Sequence, residues 1–456
     1  MMDRNVMRDP LRAGLEARVQ GMPKLMLGAA AALVFFALAM KTCAALEGAV
    51  VIALIGTVCV ALLTFGAWRA LKEQPVMVLL CAALLAMLAV AAHLAMLDIK
   101  PGRVSKVLAP MLEDMWNYDL GTAMAWEDGA WSGGYLIVMA LISRLENFSQ
   151  MYAVKLFDMV CQTAAALAVL KLALARHAKP GVAVGAMFAC VLAPTMLMNG
   201  GCWAQCDAMF AALTLWGLAL LLDDHPVWGC ILWGLAAATK LQSAFLFPLL
   251  LVFLMKGKVS LRHLLAGLTA FVLMQAAFLA DGQGFEAVFG RYAQQIEEMA
   301  YEGAGLADHA AGVYSLMTIA SVREFSGMGM YLGFACALLV AFALIHTRRE
   351  PDMDTLLLAA LLLAAGLPLI LPQMNARSLY LAGLLAFACA GSARRLAVAG
   401  VLELISLCSY MEAIFGYTII PMNVLSLMAI ACAVVVWLEL MGRLGVKGAL
   451  AGENDA

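Results

Sequence analysis

Long apolar runs separated by short polar breaks dominate the chain from residue 24 onward. The runs cover 24–44, 46–67, 76–97, 150–175, 181–198, 206–222, 226–240, 243–256, 262–280, 328–346, 354–372, 378–393, 396–416 and 419–441. A helix needs roughly 20 apolar residues to cross a bilayer. In lipid the backbone must satisfy its own hydrogen bonds, which helices do within a single segment. The pattern therefore predicts an all-α, polytopic transmembrane helix bundle of about 14 spans. Two long polar segments interrupt it, 98–149 and 281–327, and loops of that length are usually functional. Within the first lies YLIVMALISRL, residues 135–145. It is too short to span and would reverse every later loop, so it reads as an amphipathic helix on the outer surface.

Composition sharpens this picture. The chain is 64% hydrophobic and only 13% charged, with a mean hydropathy of +0.91, which excludes an ordinary soluble globular protein. A net charge of −2 supplies no basic field for nucleic acid. The cysteines sit mostly inside apolar runs, where they pack as small hydrophobes rather than frame disulfides. Basic residues mark one side of the membrane: Arg69 and Lys72; Arg176 and Lys179; Lys256, Lys258 and Arg262; Arg348 and Arg349; Arg394 and Arg395; Arg443 and Lys447. By the positive-inside rule these turns are cytoplasmic. Both termini then lie in the cytoplasm of a plasma-membrane protein, and both long segments face outward. Arg4, Arg8, Arg12 and Arg18 precede a run that a second run follows at once, so the N-terminal segment reads as retained rather than cleaved.

Polar residues inside such a chain are functional candidates. The densest group is Asn199-Gly200-Gly201-Cys202-Trp203-Ala204-Gln205-Cys206-Asp207, between two apolar runs. It reads either as a connection lining an aqueous cleft, with Asp207 pointing inward, or as a tight turn with an interfacial Trp. Lys240 in Thr239-Lys240-Leu241-Gln242 is placed either to snorkel to headgroups or to meet a phosphate. Arg377, closing Pro372-Gln373-Met374-Asn375-Ala376-Arg377, suits bidentate phosphate binding or an interfacial anchor. Cys202, Cys206 and His309 lack the companions of a tetrahedral metal set, so no metal is assigned.

The strings NGGCWAQCDAMFAALTLWGLALL and LWGLAAATKLQSAFLFPLLL resemble the GT-C superfamily of polytopic glycosyltransferases. They are most similar to bacterial mannosyltransferase-like proteins related to the eukaryotic GPI mannosyltransferase II. The hallmark N-x-x-x-W-G-Q-x-D falls on Asn199, Trp203, Gln205 and Asp207, and its later K-P-Q on Lys240 and Gln242. YAVKLFDMVCQTAAALAVLKLALAR resembles the second conserved span, with Lys155 and Asp158 in place. The resemblance covers residues 76–395. It implies a cytoplasmic segment 1–23, an extra transmembrane pair 24–75, a GT-C-like core 76–395, and a C-terminal pair with a tail, 396–456. Three departures stand out. Arg103 occupies the place of an expected Asp, Ala204 that of a Gly, and Asn375, Ala376 and Ser378 replace His, Glu and Tyr around Arg377. A changed donor or acceptor accounts for them, and so does lost catalysis.

The resemblance implies transfer of a mannose-like sugar from a polyprenyl-phosphate donor to a glycan, lipid or protein acceptor at the outer face, with no cofactor. The chemistry needs a base for the acceptor hydroxyl and cations for the departing lipid phosphate. Asp98, where an apolar run ends, fits the base or a solvated helix terminus; Asp114 and Glu113 are the alternatives. Asn199, Trp203, Gln205, Asp207, Lys240, Gln242 and Arg377 form the expected substrate-binding set, with Lys240 and Arg377 on the phosphate. Arg291, Tyr292, Glu297 and Glu298 would cover the acceptor. The rival is a transporter or flippase for lipid-linked saccharides, or a relative that only binds them. Transporters often show two corresponding halves, and none is visible in this chain.

Overall fold

A computed structural model of the chain describes residues 10–102, 104–124, 132–280, 284–285, 288–290, 292, 307–317, 322–347 and 350–445. It is built from helices, and eight of those described are long and apolar enough to cross a membrane. The protein is thus an all-α, polytopic membrane protein. The eight are Ala49–Leu71, Val76–Leu94, Gln150–Ala175, Pro180–Cys202, Gly327–His346, Met353–Ile370, Ala393–Phe415 and Met422–Arg443. The other six runs fall on shorter apolar helices of 10–17 residues.

The chain divides into two compact units, Met1–Ala95 and Met96–Ala456. The first holds α1 (Pro10–Thr42), α2 (Ala49–Leu71) and α3 (Val76–Leu94), each packed on the other two. Gly48 opens α2 in the left-handed conformation. That geometry suits a residue without a Cβ.

The second unit begins with a π-helical turn, Val104–Leu108, running into α4 (Ala109–Asn117) and α5 (Leu120–Met124). Next comes α6 (Gly133–Ser143), on the stretch expected to lie on the surface. Instead α6 packs against α4, α5, α7 and α11, with Leu136, Met139 and Ala140 fully buried. The physical reason is its composition. YLIVMALIS is apolar all round, so neighbouring helices bury most of it while Leu141 stays exposed.

The body of the unit follows: α7 (Gln150–Ala175), α8 (Pro180–Val191), the single turn α9 (Pro194–Met196), α10 (Asp207–Leu222), α11 (Pro226–Thr239), α12 (Pro248–Met255), α13 (Leu261–Ala280), α14 (Val322–His346), α15 (Met353–Ile370), α16 (Tyr380–Cys389), α17 (Ala393–Phe415) and α18 (Met422–Arg443). The inner helices α7, α10 and α15 pack on several neighbours; the outer α14 and α18 leave apolar faces exposed, as a lipid-facing helix does. Helices α10, α11, α12 and α16 are short because polar, non-α segments interrupt them. Backbone of that kind is tolerated at membrane depth only where protein buries it or a cavity receives it. Three such interruptions, at 197–206, 240–247 and 371–379, surround one cavity.

Candidate functional site

The first interruption begins as a π-helical turn, Leu197–Cys202. Gly200 is required there, because a Cβ at that position would collide with the carboxylate of Asp158 on α7. The chain then passes through Ala204 at φ 53 and enters α10 at Asp207. The Gln205 amide returns to the Asn199 carbonyl at 2.9 Å, tying the two ends of the break together. An acidic residue in the first helical turn also meets the positive end of the helix dipole.

Asp207 is the hub. Its carboxylate accepts Asn199 Nδ2 at 2.8 Å, the Lys240 ammonium, and Arg377 Nη1 at 3.4 Å. Lys240 arrives from the C-terminal end of α11, where it leaves the helix in an extended conformation and begins the second interruption. Arg377 arrives from the third. Its guanidinium donates to Gln205 Oε1 and lies 5.2 Å over the Trp203 ring. Trp203 in turn meets Tyr410 of α17 edge to face, with ring centroids 5.5 Å apart. Asn199 donates to the Tyr410 hydroxyl at 3.0 Å. Two cations against one carboxylate leave a single positive charge over in the cluster.

A cavity of about 640 Å³ opens onto this cluster. Its lining includes Gln205, Asp207, Lys240, Gln242 and Arg377. Its lining also includes the apolar Phe245, Phe247 and Leu251, and Phe334 and Leu338 of α14. The cavity therefore joins a charged cluster to a largely apolar lining.

Five of the seven substrate-binding candidates line the cavity directly. Asn199 and Trp203 stand behind its wall, where they hold Asp207 and Arg377 in place rather than present themselves to a ligand. Asp98 is exposed on the turn at 96–99 and does not line the cavity. Its carboxylate accepts the Tyr152 hydroxyl of α7. Asp114 and Glu113 are exposed on α4. Arg103, Arg291, Glu297 and Glu298 lie outside the described residues. Tyr292 donates to the Ala238 carbonyl at 3.1 Å, at the end of α11. His309 lies between Asp308 and Glu412, at 3.7 and 3.4 Å. The strand pair Ala307–Asp308 with Met374–Asn375 sets that segment against the loop that carries Arg377.

Sequence reasoning missed Tyr410 and Tyr152. Tyr410 sits in an apolar run more than 200 positions from Asn199, with nothing local to mark it. Tyr152 did carry a signal: it precedes Lys155 by three residues, which puts both on one helical face.

A family model described as glycosyltransferase family 87 matches residues 134–372, more than half of the chain. No curated protein matches it.

Proposed function

The chain belongs to glycosyltransferase family 87, a membrane glycosyltransferase family of GT-C type, and on that premise we propose that it transfers a mannose-like sugar from a polyprenyl-phosphate donor. The observation that carries this reading is one cavity whose lining combines the surplus positive charge of the Asp207–Lys240–Arg377 cluster with a largely apolar wall. A sugar joined to a polyprenyl phosphate is a phosphodiester with a single negative charge, and its prenyl tail needs an apolar path. Both features fit. Lys240 and Arg377 would meet the phosphate, and Phe245, Phe247, Leu251 and Phe334 would flank the tail.

In this reading Asp98 takes the proton of the acceptor hydroxyl. The freed oxygen attacks the anomeric carbon as the bond from that carbon to the phosphate oxygen breaks. Lys240 and Arg377 stabilise the leaving polyprenyl phosphate as it gains its second charge, while Asp207 and Gln205 keep them oriented. The reaction needs no redox step and no cofactor. The sugar passes to a glycan, lipid or protein acceptor at the outer face of the plasma membrane. In this arrangement the segments 98–149 and 281–327 face outward, and both termini are cytoplasmic.

The test is transfer from radiolabelled polyprenyl-phosphomannose by the purified protein in proteoliposomes. Wild-type protein is expected to move label to an acceptor and leave polyprenyl phosphate. Asp98→Asn, which keeps shape but cannot accept the proton, is expected to lose about 10²–10⁴-fold in rate with donor binding intact. A wild-type protein that binds this donor and never transfers its sugar would make it a binding relative. Use of a soluble nucleotide sugar instead would remove the lipid-linked donor.

A further inference from the structure

Lys155 lies within α7 with none of its surface exposed. A buried ammonium is costly, so its partners state its purpose. Nζ donates to the carbonyls of Met96 at 2.8 Å, Leu97 at 2.9 Å and Ile99 at 2.6 Å. An ammonium has three N–H donors and no acceptor. All three are spent on one turn, which leaves Lys155 nothing to offer a phosphate or a sugar.

The residue enclosed by that turn is Asp98. One helical turn before Lys155, on the same face of α7, Tyr152 donates to the Asp98 carboxylate. On its other side the turn packs against the π-helical break at Gly201. A Cβ on Gly201, two residues past Asn199, would stand 3.1 Å from the Met96 side chain. The turn bearing Asp98 is thus fixed from α7 by a cation and a phenol, and seated on the break that leads to Asp207.

We propose that Lys155 and Tyr152 are positioning residues that hold the Asp98 carboxylate where an acceptor hydroxyl meets it. The proposal rests on the reading of Asp98 as the base. An apolar side chain in place of Lys155 would fill the volume but leave three inward carbonyls without this donor, which is costly for a buried acceptor. A neutral amide would supply only two donors. The charge therefore maintains the geometry of the turn without touching substrate. A displaced base slows the chemical step and leaves ground-state binding of the donor unaltered.

The experiment compares Lys155→Met, Tyr152→Phe and Asp98→Asn with wild type in proteoliposomes, using polyprenyl-phosphomannose as donor and measuring kcat, donor KM and donor binding separately. Lys155→Met is expected to lower kcat about 10–100-fold, as for a base displaced by roughly 1 Å, with KM and binding within twofold. Tyr152→Phe is expected to lower kcat about three- to tenfold with the same unchanged KM. If Asp98→Asn is inactive while Lys155→Met keeps wild-type kcat, the base reading stands and the positioning role falls. Full activity in Asp98→Asn removes the base reading itself, and the positioning role with it. A Lys155→Met variant whose loss lies in KM and donor binding would make Lys155 a substrate contact and overturn the proposal. If Lys155→Met fails to fold, Tyr152→Phe decides: lowered kcat at constant KM sustains the proposal, and wild-type kcat ends it.

Discussion

Arg377 is held by three unlike contacts: Gln205 Oε1, the Asp207 carboxylate and the face of Trp203. Only a planar guanidinium satisfies all three, since an ammonium carries charge but neither the fork nor the flat face. Arg377→Lys is therefore expected to keep the protein folded and charged while raising donor KM about tenfold, the equivalent of ~1.4 kcal/mol. The kcat change should be smaller, and titration of donor binding in detergent checks the split. An unchanged KM would place the phosphate away from Arg377. At this scale the central motif was readable because Asn199, Gln205 and Asp207 interrupt an apolar run, where polar groups are costly without partners. What the motif could not reveal was its inner division. Asn199 and Trp203 look like Gln205 and Asp207 in the string, yet they stand behind the wall. Distance along the chain hid Tyr410, which supports both of them.

Short helices were legible as short apolar runs, but what closes them against one another was not. Helices α11 and α13 meet backbone to backbone. A Cβ on Gly234 would collide with the Gly267 carbonyl, and one on Gly267 would stand 2.6 Å from the carbonyl oxygen of Cys230. Small residues allow this close approach between membrane helices, where packing rather than hydrophobic burial drives association. Gly234→Val is expected to push the pair apart and cost about 1–3 kcal/mol or more. It would also disturb Lys240, six residues on at the end of the same helix, so transfer should fall with stability. Thermal unfolding in detergent checks this against Gly400→Ala. Gly400 lies in α17 with nothing within 4 Å of an added Cβ, so alanine there should be neutral or stabilising. Equal stability of the two variants would refute the close-packing argument. Helix α6 shows the complementary limit of pattern reading. Its length was evident, but its burial depended on which neighbours would cover it, and a linear string does not contain them.

At the scale of the whole second unit, four helix ends meet in one ion network. Arg176 at the end of α7 and Arg395 at the start of α17 both donate to Asp354 at the start of α15, at 3.0 and 2.7 Å. Arg395 also pairs with Glu439 at 2.6 Å, and Arg443 with Asp354 at 2.5 Å, both from the end of α18. These arginines belong to the series of basic turns read from the sequence as cytoplasmic, and the fold gathers three of them at one end. The opposite ends of the same helices are Gln150, Ile370, Phe415 and Met422. Asp98, bonded to Tyr152 in the first turn of α7, lies at that opposite end, as does Arg377, seven residues beyond α15. The proposed base and the proposed phosphate site thus share the end away from the arginines. A positive-inside orientation then puts both in reach of an outer-face acceptor. The prediction is made on engineered cysteines at Thr122 and Ala178, in a background without other accessible thiols. A membrane-impermeant maleimide added to intact cells should label Thr122→Cys and spare Ala178→Cys until the membrane is opened. Labelling of Ala178→Cys alone would invert the topology and set the site facing the cytoplasm. Labelling of both from outside would break the link between the arginine cluster and the cytoplasmic side on which the outward assignment depends.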